Sequence, residues 1–267
     1  MFGFFRRRRR RKLRALPFPE RWAEIVQEHL PYDEVLDPSE RKELRRHIQV
    51  FMAEKEFEGM RGLEITDVVR VTIAAQACLL LIGRETEYYP SLKRILVYPS
   101  PYVAKTKEHL ADGTVMESLQ TRLGESWHRG TVVLAWDTVK ADAADIHDGH
   151  NVVMHEFAHQ LDDEVGSTDG APRLANRAAY GPWARVLSRE FEELVDAVAD
   201  GDRTTIDPYG ATNPAEFFAV ITEAFFEQPR QLRKRHPDLY RQLQTFYRQD
   251  PAQRFDPRKS RAGQESP

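Results

Sequence analysis

NVVMHEFAHQLDD, residues 151–163, sets two histidines four positions apart around a glutamate. A helix turns by about 100° per residue, so His155 and His159 lie about 40° apart on one face and can reach one ion. Glu156 sits beside that face, close enough to hold a water on the ion without ligating the ion itself. Val153, Met154, Phe157 and Leu161 fall on the other side and predict an apolar back buried in a core. The plain alternative is an exposed helix face with two neutral histidines.

Two histidines do not complete a catalytic zinc site, which takes three protein ligands and leaves a place for water. Asp162 and Val165 stand where a third ligand pattern in the next turns would need Gly and His. No glutamate lies between Glu164 and Glu190, so a ligand some twenty residues on is also missing. Asp162 and Asp163 lie on the histidine edge, and Asp162 is suited to orienting a ligand rather than to being one. The third ligand is therefore sought on NPAEFFAVITEAFFEQP, residues 213–229. Glu216, Glu223 and Glu227 fall along one line of that helix, within about 20°, and Phe218, Ile221 and Phe225 cover the opposite side. Asn213, Pro214 and Glu216 also fit N-cap, N1 and N3, so Glu216 has a purely local use as the partner of its cap. Spacing alone leaves Glu216 and Glu223 level.

The rest of the chain reads as helices, a small strand cluster, then helices. LDPSERKELRRHIQVFMAEKEF, residues 36–57, opens with Asp37 as cap, Pro38 at N1 and Glu40 as box partner. DVVRVTIAAQACLLLI, residues 67–82, is apolar nearly all round and predicts a central helix. RILVYPSPYV (94–103), TVVLAW (131–136) and GTVMESL (113–119) are the strand candidates. TVVLAW is equally readable as a core strand or as a sheet edge that receives an extended peptide. Helices follow the motif at about 177–198, 213–227 and 237–248. This order predicts an α+β fold: a mostly helical, zincin-like domain over residues 17–255, with a small mixed β-sheet and an active-site helix.

The chain has 267 residues, 41% hydrophobic and 30% charged, a composition that supports a soluble globular core. Its one cysteine, Cys78, excludes an intrachain disulfide and fits a buried position in a reducing, cytoplasmic setting. MFGFFRRRRRRKLRALPFPE, residues 1–20, lacks the apolar run of a secretory signal. Its eight cations leave a body with 31 basic and 42 acidic residues, a net −11. Residues 1–16 are expected to be a disordered basic arm. The alternative is contact with anionic lipid or nucleic acid, with Phe2, Phe4 and Phe5 as an apolar tip. Residues 256–267 are expected to be a disordered tail.

HEFAHQLD (155–162) followed some fifty residues on by DPYGATNPAEFFAV (207–220) resembles the Mlc titration factor A family of zinc peptidases, peptidase family M90. LVYPSPYV (96–103) and GTVVLAWD (130–137) match as well, and the likeness runs over residues 17–255. The site is also similar to that of the anthrax lethal factor catalytic domain. The resemblance implies Zn2+ held by His155, His159 and Glu216, with Glu156 as base and Tyr209 stabilising the transition state. Without it, Tyr209 reads as a loop aromatic packed on the surface. Lethal factor carries a further Glu at the position of Val220, so here an orienting role passes to Glu223 or an Asp, or is absent. The resemblance further implies aminopeptidase-like action on short peptides and binding to a sugar-responsive transcriptional repressor. An alternative is a repressor-sequestering protein with weak or vestigial hydrolysis.

Overall fold

The computed structural model describes residues 2–109, 115–122, 124–127, 130–166 and 168–255. The N-terminal segment corrects the expectation of a disordered arm: it is a helix, α1 (Phe2–Ala15). The reason is long-range. Arg10 is buried and grips both carboxylate oxygens of Glu54 through Nε and Nη2, each at 2.8 Å. Its Nη1 reaches Glu87 at 2.7 Å, its Nη2 the Glu87 carbonyl at 2.8 Å, and the guanidinium stacks over Tyr88 at 4.7 Å. A run of cations looks self-repelling until these distant acids are placed under one of them. The expected tail, 256–267, lies outside the described residues.

α2 (Glu20–His29), α3 (Tyr32–Val35) and α4 (Pro38–Glu54) follow. α4 starts as its sequence predicts, with Asp37 accepting from the Ser39 and Glu40 amides and Glu40 reaching back to the Asp37 amide. Leu44, Ile48, Phe51 and Met52 are buried on its inner face. A short strand, β1 (Glu56–Gly59), leads to α5 (Asp67–Leu79), which is buried from Val71 to Leu79. That all-round burial matches its apolar sequence and includes Cys78.

The strands are β2 (Arg94–Tyr98), β3 (Tyr102–His109), β4 (Val115–Arg122), β5 (Gly124–Trp127) and β6 (Thr131–Ala135). RILVYPSPYV is thus two strands divided by a Pro-containing turn. β1, β2 and β6 run parallel and β5 pairs antiparallel to β6, so the small sheet is mixed, in the order β1-β2-β6-β5. β3 and β4 form a separate antiparallel pair. β6 is flanked on both sides and is not a sheet edge; the edge strand beside it is β5. Trp136, read as the end of a strand, instead opens α6 (Trp136–Ala144).

The motif helix α7 (Val152–Asp162) packs on the sheet through its apolar back. Phe157 lies 4.7 Å from the Tyr89 ring and 5.6 Å from the Phe51 ring, so α7 is tied to α4 by aromatic edges. α8 (Tyr180–Asp200), α9 (Pro214–Glu227), α10 (Pro229–Arg235), α11 (Pro237–Tyr247) and α12 (Pro251–Arg254) complete the helical layer. The fold is α+β and mostly helical, as expected. Among the described residues no helix is long and apolar enough to cross a membrane.

Arg10→Ala is expected to strand the Glu54 carboxylate under α1 and destabilise the protein by roughly 3 kcal/mol. Hydrogen exchange should then show loss of protection concentrated in α1. Unchanged exchange there would refute the clamp.

Candidate metal centre

α7 begins at a buried amide. The Asn151 side chain caps the helix by accepting from the Met154 amide at 2.9 Å. Its Nδ2 donates to Gln76 of α5 and to Glu227 of α9, both at 3.0 Å. Its backbone amide donates to Glu223 of α9, and the next amide, Val152, donates to Asp142 of α6 at 2.8 Å. Burial pushes the Asp142 carboxyl up to about 6 and the Glu227 carboxyl up to about 10. Glu227 is thus neutral at pH 7, whereas Asp142 is still mostly ionised there, and both bond to the start of the helix.

One turn further on, the ligand candidates converge. His155 Nε2 lies 3.0 Å from Glu216 Oε2, His159 Nε2 lies 3.4 Å from the same oxygen, and the two Nε2 atoms are 3.3 Å apart. A tetrahedral ion with bonds of about 2.0–2.1 Å needs ligand atoms about 3.3–3.4 Å apart. The three atoms therefore form one face of such a tetrahedron, and two imidazoles with one carboxylate suit a zinc-like ion. Among the described residues this is the group of three able to hold a metal.

Glu216 resolves the alternatives that spacing left level. Asn213 caps α9 by accepting from the Glu216 amide at 3.0 Å, while the Glu216 carboxylate turns to the histidines. Glu223, two turns along, stands behind His155 and takes its Nδ1 at 2.7 Å. That bond fixes a proton on Nδ1 and leaves Nε2 to face the ion, the usual carboxylate–histidine arrangement. Burial favours a neutral His155, but the bonds to Glu216 and Glu223 outweigh it and lift this imidazole well above its ordinary value. Burial likewise raises Glu216, yet its bonds to His155 and His159 prevail and bring it down to about 2. The raised His155 and the lowered Glu216 favour an ion pair between these two side chains.

Glu156 is buried on α7 beside this triangle. Tyr209 lies on a 3-10 turn (Pro208–Ala211), its ring centre 6.0 Å from that of His155, and 55% exposed. Its amide donates to Asp207 at 2.7 Å and its carbonyl accepts from Thr212 Oγ1 at 2.7 Å, so the turn is braced on both sides. Asp162 is fully buried but bonds away from the histidines: Oδ2 accepts from the Gly170 amide at 2.8 Å. Gly170 has φ +79°, and a Cβ there would come within 2.6 Å of the Pro214 carbonyl. Asp162 therefore fastens the loop after α7 against the start of α9, the end that carries Glu216. His159 Nδ1 is buried with no hydrogen-bond partner among the described residues. The sequence reading missed Asn151, Gln76, Glu227 and Asp142 as supports of the site. Asn directly before an apolar-periodic helix, and the place of Glu227 on the glutamate line of α9, are the signals that pointed to any of them. A pocket adjoins the Tyr209 turn, lined by Asp148, His150, Thr205, Asp207, Val220 and Ala224 among others.

The glucose-regulated metallo-peptidase M90 family matches residues 4–248, and the chain belongs to that family. The match includes most of α1, which the sequence reading had left outside the likeness. The uncharacterized protein slr2042 of Synechocystis sp. is 42% identical over 245 residues, covering 91% of this chain and 89% of its own. Mlc titration factor A of Klebsiella pneumoniae is 33% identical, covering 82% of this chain and 83% of its own. Mlc titration factor A of Pectobacterium atrosepticum is 32% identical, covering 88% of each.

A metal must displace the proton held between His155 and Glu216. Zinc affinity of the metal-free protein should therefore rise with pH across neutrality, by about tenfold per pH unit for one proton released. Calorimetry in buffers of different ionisation heat reads that proton directly; a pH-independent affinity would contradict the ion pair. Glu223→Gln should weaken zinc binding about 10–100-fold.

Glu227 has its folded value raised, so its contribution to stability falls as pH rises from about 4.5, its unfolded value, toward about 10. Glu227→Gln mimics the neutral acid and should flatten that decline. Urea unfolding at pH 6 and pH 9 measures it, and a slope as steep as wild type would show that Glu227 ionises freely.

Proposed function

We propose that this protein is a zinc-dependent peptidase acting on short peptides from the amino terminus. The reading is carried by the meeting of His155, His159 and Glu216 with a buried Glu156 one residue from the first ligand. A zinc ion there supplies a Lewis acid for the scissile carbonyl and makes water acidic enough to lose a proton near neutral pH. Glu156 takes the proton of the attacking water and delivers it to the departing amine. Tyr209, braced at the mouth of the site, donates to the oxyanion as the carbonyl becomes tetrahedral. Glu223 keeps His155 in the tautomer that faces the ion. β5, the edge strand packed against α7, offers backbone groups to an extended substrate. The amino-terminal preference is supported by the neighbouring pocket, which counts two acids, Asp148 and Asp207, among its lining residues.

A second reading adds to the first. Relatives about one-third identical carry the name Mlc titration factor A. We infer that this chain also binds a sugar-responsive transcriptional repressor in the cytoplasm.

Glu156→Gln should keep zinc and lose peptide hydrolysis by about a hundredfold or more. Tyr209→Phe should lower kcat by about a hundredfold with little change in KM. Unchanged hydrolysis of an amino-acid 4-nitroanilide by the Glu156→Gln protein would sink the peptidase. Repressor capture by that same variant separates the binding role from catalysis.

A further inference from the structure

The outer face of α1 is unlike the rest of the surface. Phe4, Phe5, Arg8, Arg11 and Lys12 fall within about 120° of one another around the helix. Phe4 is 70% exposed and Phe5 59%, the highest values for large hydrophobic side chains among the described residues. Leu16, just beyond the helix, is 58% exposed. Arg8, Arg11 and Lys12 are exposed and form no ion pair among the described residues. The inner face holds Arg10, locked between Glu54 and Glu87. The helix is thus ordered against the body before it meets any partner.

Cations mixed with exposed phenylalanine and leucine on one helix face are the mark of a helix lying in a lipid headgroup layer. We propose that α1 docks the protein reversibly, side-on, on an anionic phospholipid surface. The charge balance supports this occupant. The body carries a net −11 once the eight cations of the N-terminal segment are removed, so an anionic bilayer repels it and attracts α1 alone. A flat surface engages one helix face; a nucleic acid wrapping further would meet the acidic body. The two phenylalanines, with ring centres 6.1 Å apart, gain by entering the acyl boundary. The site chemistry is independent of this anchor, so its success or failure leaves the peptidase reading untouched.

Flotation of the full chain with phosphatidylglycerol–phosphatidylcholine vesicles tests it. Wild type should float with these vesicles and not with pure phosphatidylcholine. Arg8→Gln, Arg11→Gln and Lys12→Gln together should weaken binding by about a hundredfold, each cation giving about fivefold. Phe4→Ser with Phe5→Ser should weaken it by at least about tenfold while leaving the charge unchanged. Both sets spare Arg10 and its acids, so melting curves should match wild type; deleting residues 1–14 is a poor test because it removes the clamp. Absence of wild-type flotation, or binding that ignores the three Gln substitutions, overturns the proposal. So does tighter binding to single-stranded DNA or RNA than to the vesicles.

Discussion

One carboxylate registers the two halves of the site. Glu223 Oε1 takes the Nδ1 proton of His155, and Oε2 takes the amide at the start of α7. A rigid, planar group thus holds α9 to both the beginning of α7 and its first ligand. Hydrogen bonds to a buried charge contribute about 1.5–3 kcal/mol each, and losing one strands the other. A slide of one residue moves a helix by about 1.5 Å, enough to break both bonds. The position of Glu216 opposite the histidines follows from this registration, because it stands two turns up the same helix.

The surroundings supply more acid than the ion needs. Asp142, Glu223 and Glu227 all bond at the start of α7, where the helix dipole favours negative charge. They do not all ionise. Burial holds the Glu227 carboxyl near 10, so it stays neutral at pH 7, while Asp142, raised to about 6, still ionises there. The Asn151 side chain is the hinge of this arrangement, since its amide bonds α5 and α9 while its oxygen caps α7.

The motif histidines, the apolar back of α7 and the line of glutamates on α9 were legible because they are local periodicities. The choice between Glu216 and Glu223 was not legible from spacing and came only from the resemblance, since both face the same way and only the depth of α7 against α9 separates them. Asp162 was legible as an acid on the histidine edge but not in its direction; it turns to Gly170 rather than to a histidine. Short pieces escaped for want of a period: β1 has four residues, and β5 pairs only through partners elsewhere. α1 escaped because the acids that neutralise Arg10 lie at positions 54 and 87. Its pattern misleads in another way, because the charged Arg10 is buried while Phe4 and Phe5 are outside.

The strap from Asp162 through Gly170 to Pro214 has a consequence for when the site is assembled. Some fifty residues separate His159 from Glu216. Closing a free loop of that length costs about 3–4 kcal/mol in chain entropy. In this fold the closure is met by a buried carboxylate on an amide and a glycine against a carbonyl, contacts that involve no ion. Metal arrival therefore finds its third ligand already delivered, and the affinity of the site is not spent on gathering the chain. A chelator should empty such a centre and leave a folded protein behind, unlike the small zinc domains whose architecture dissolves with their ion.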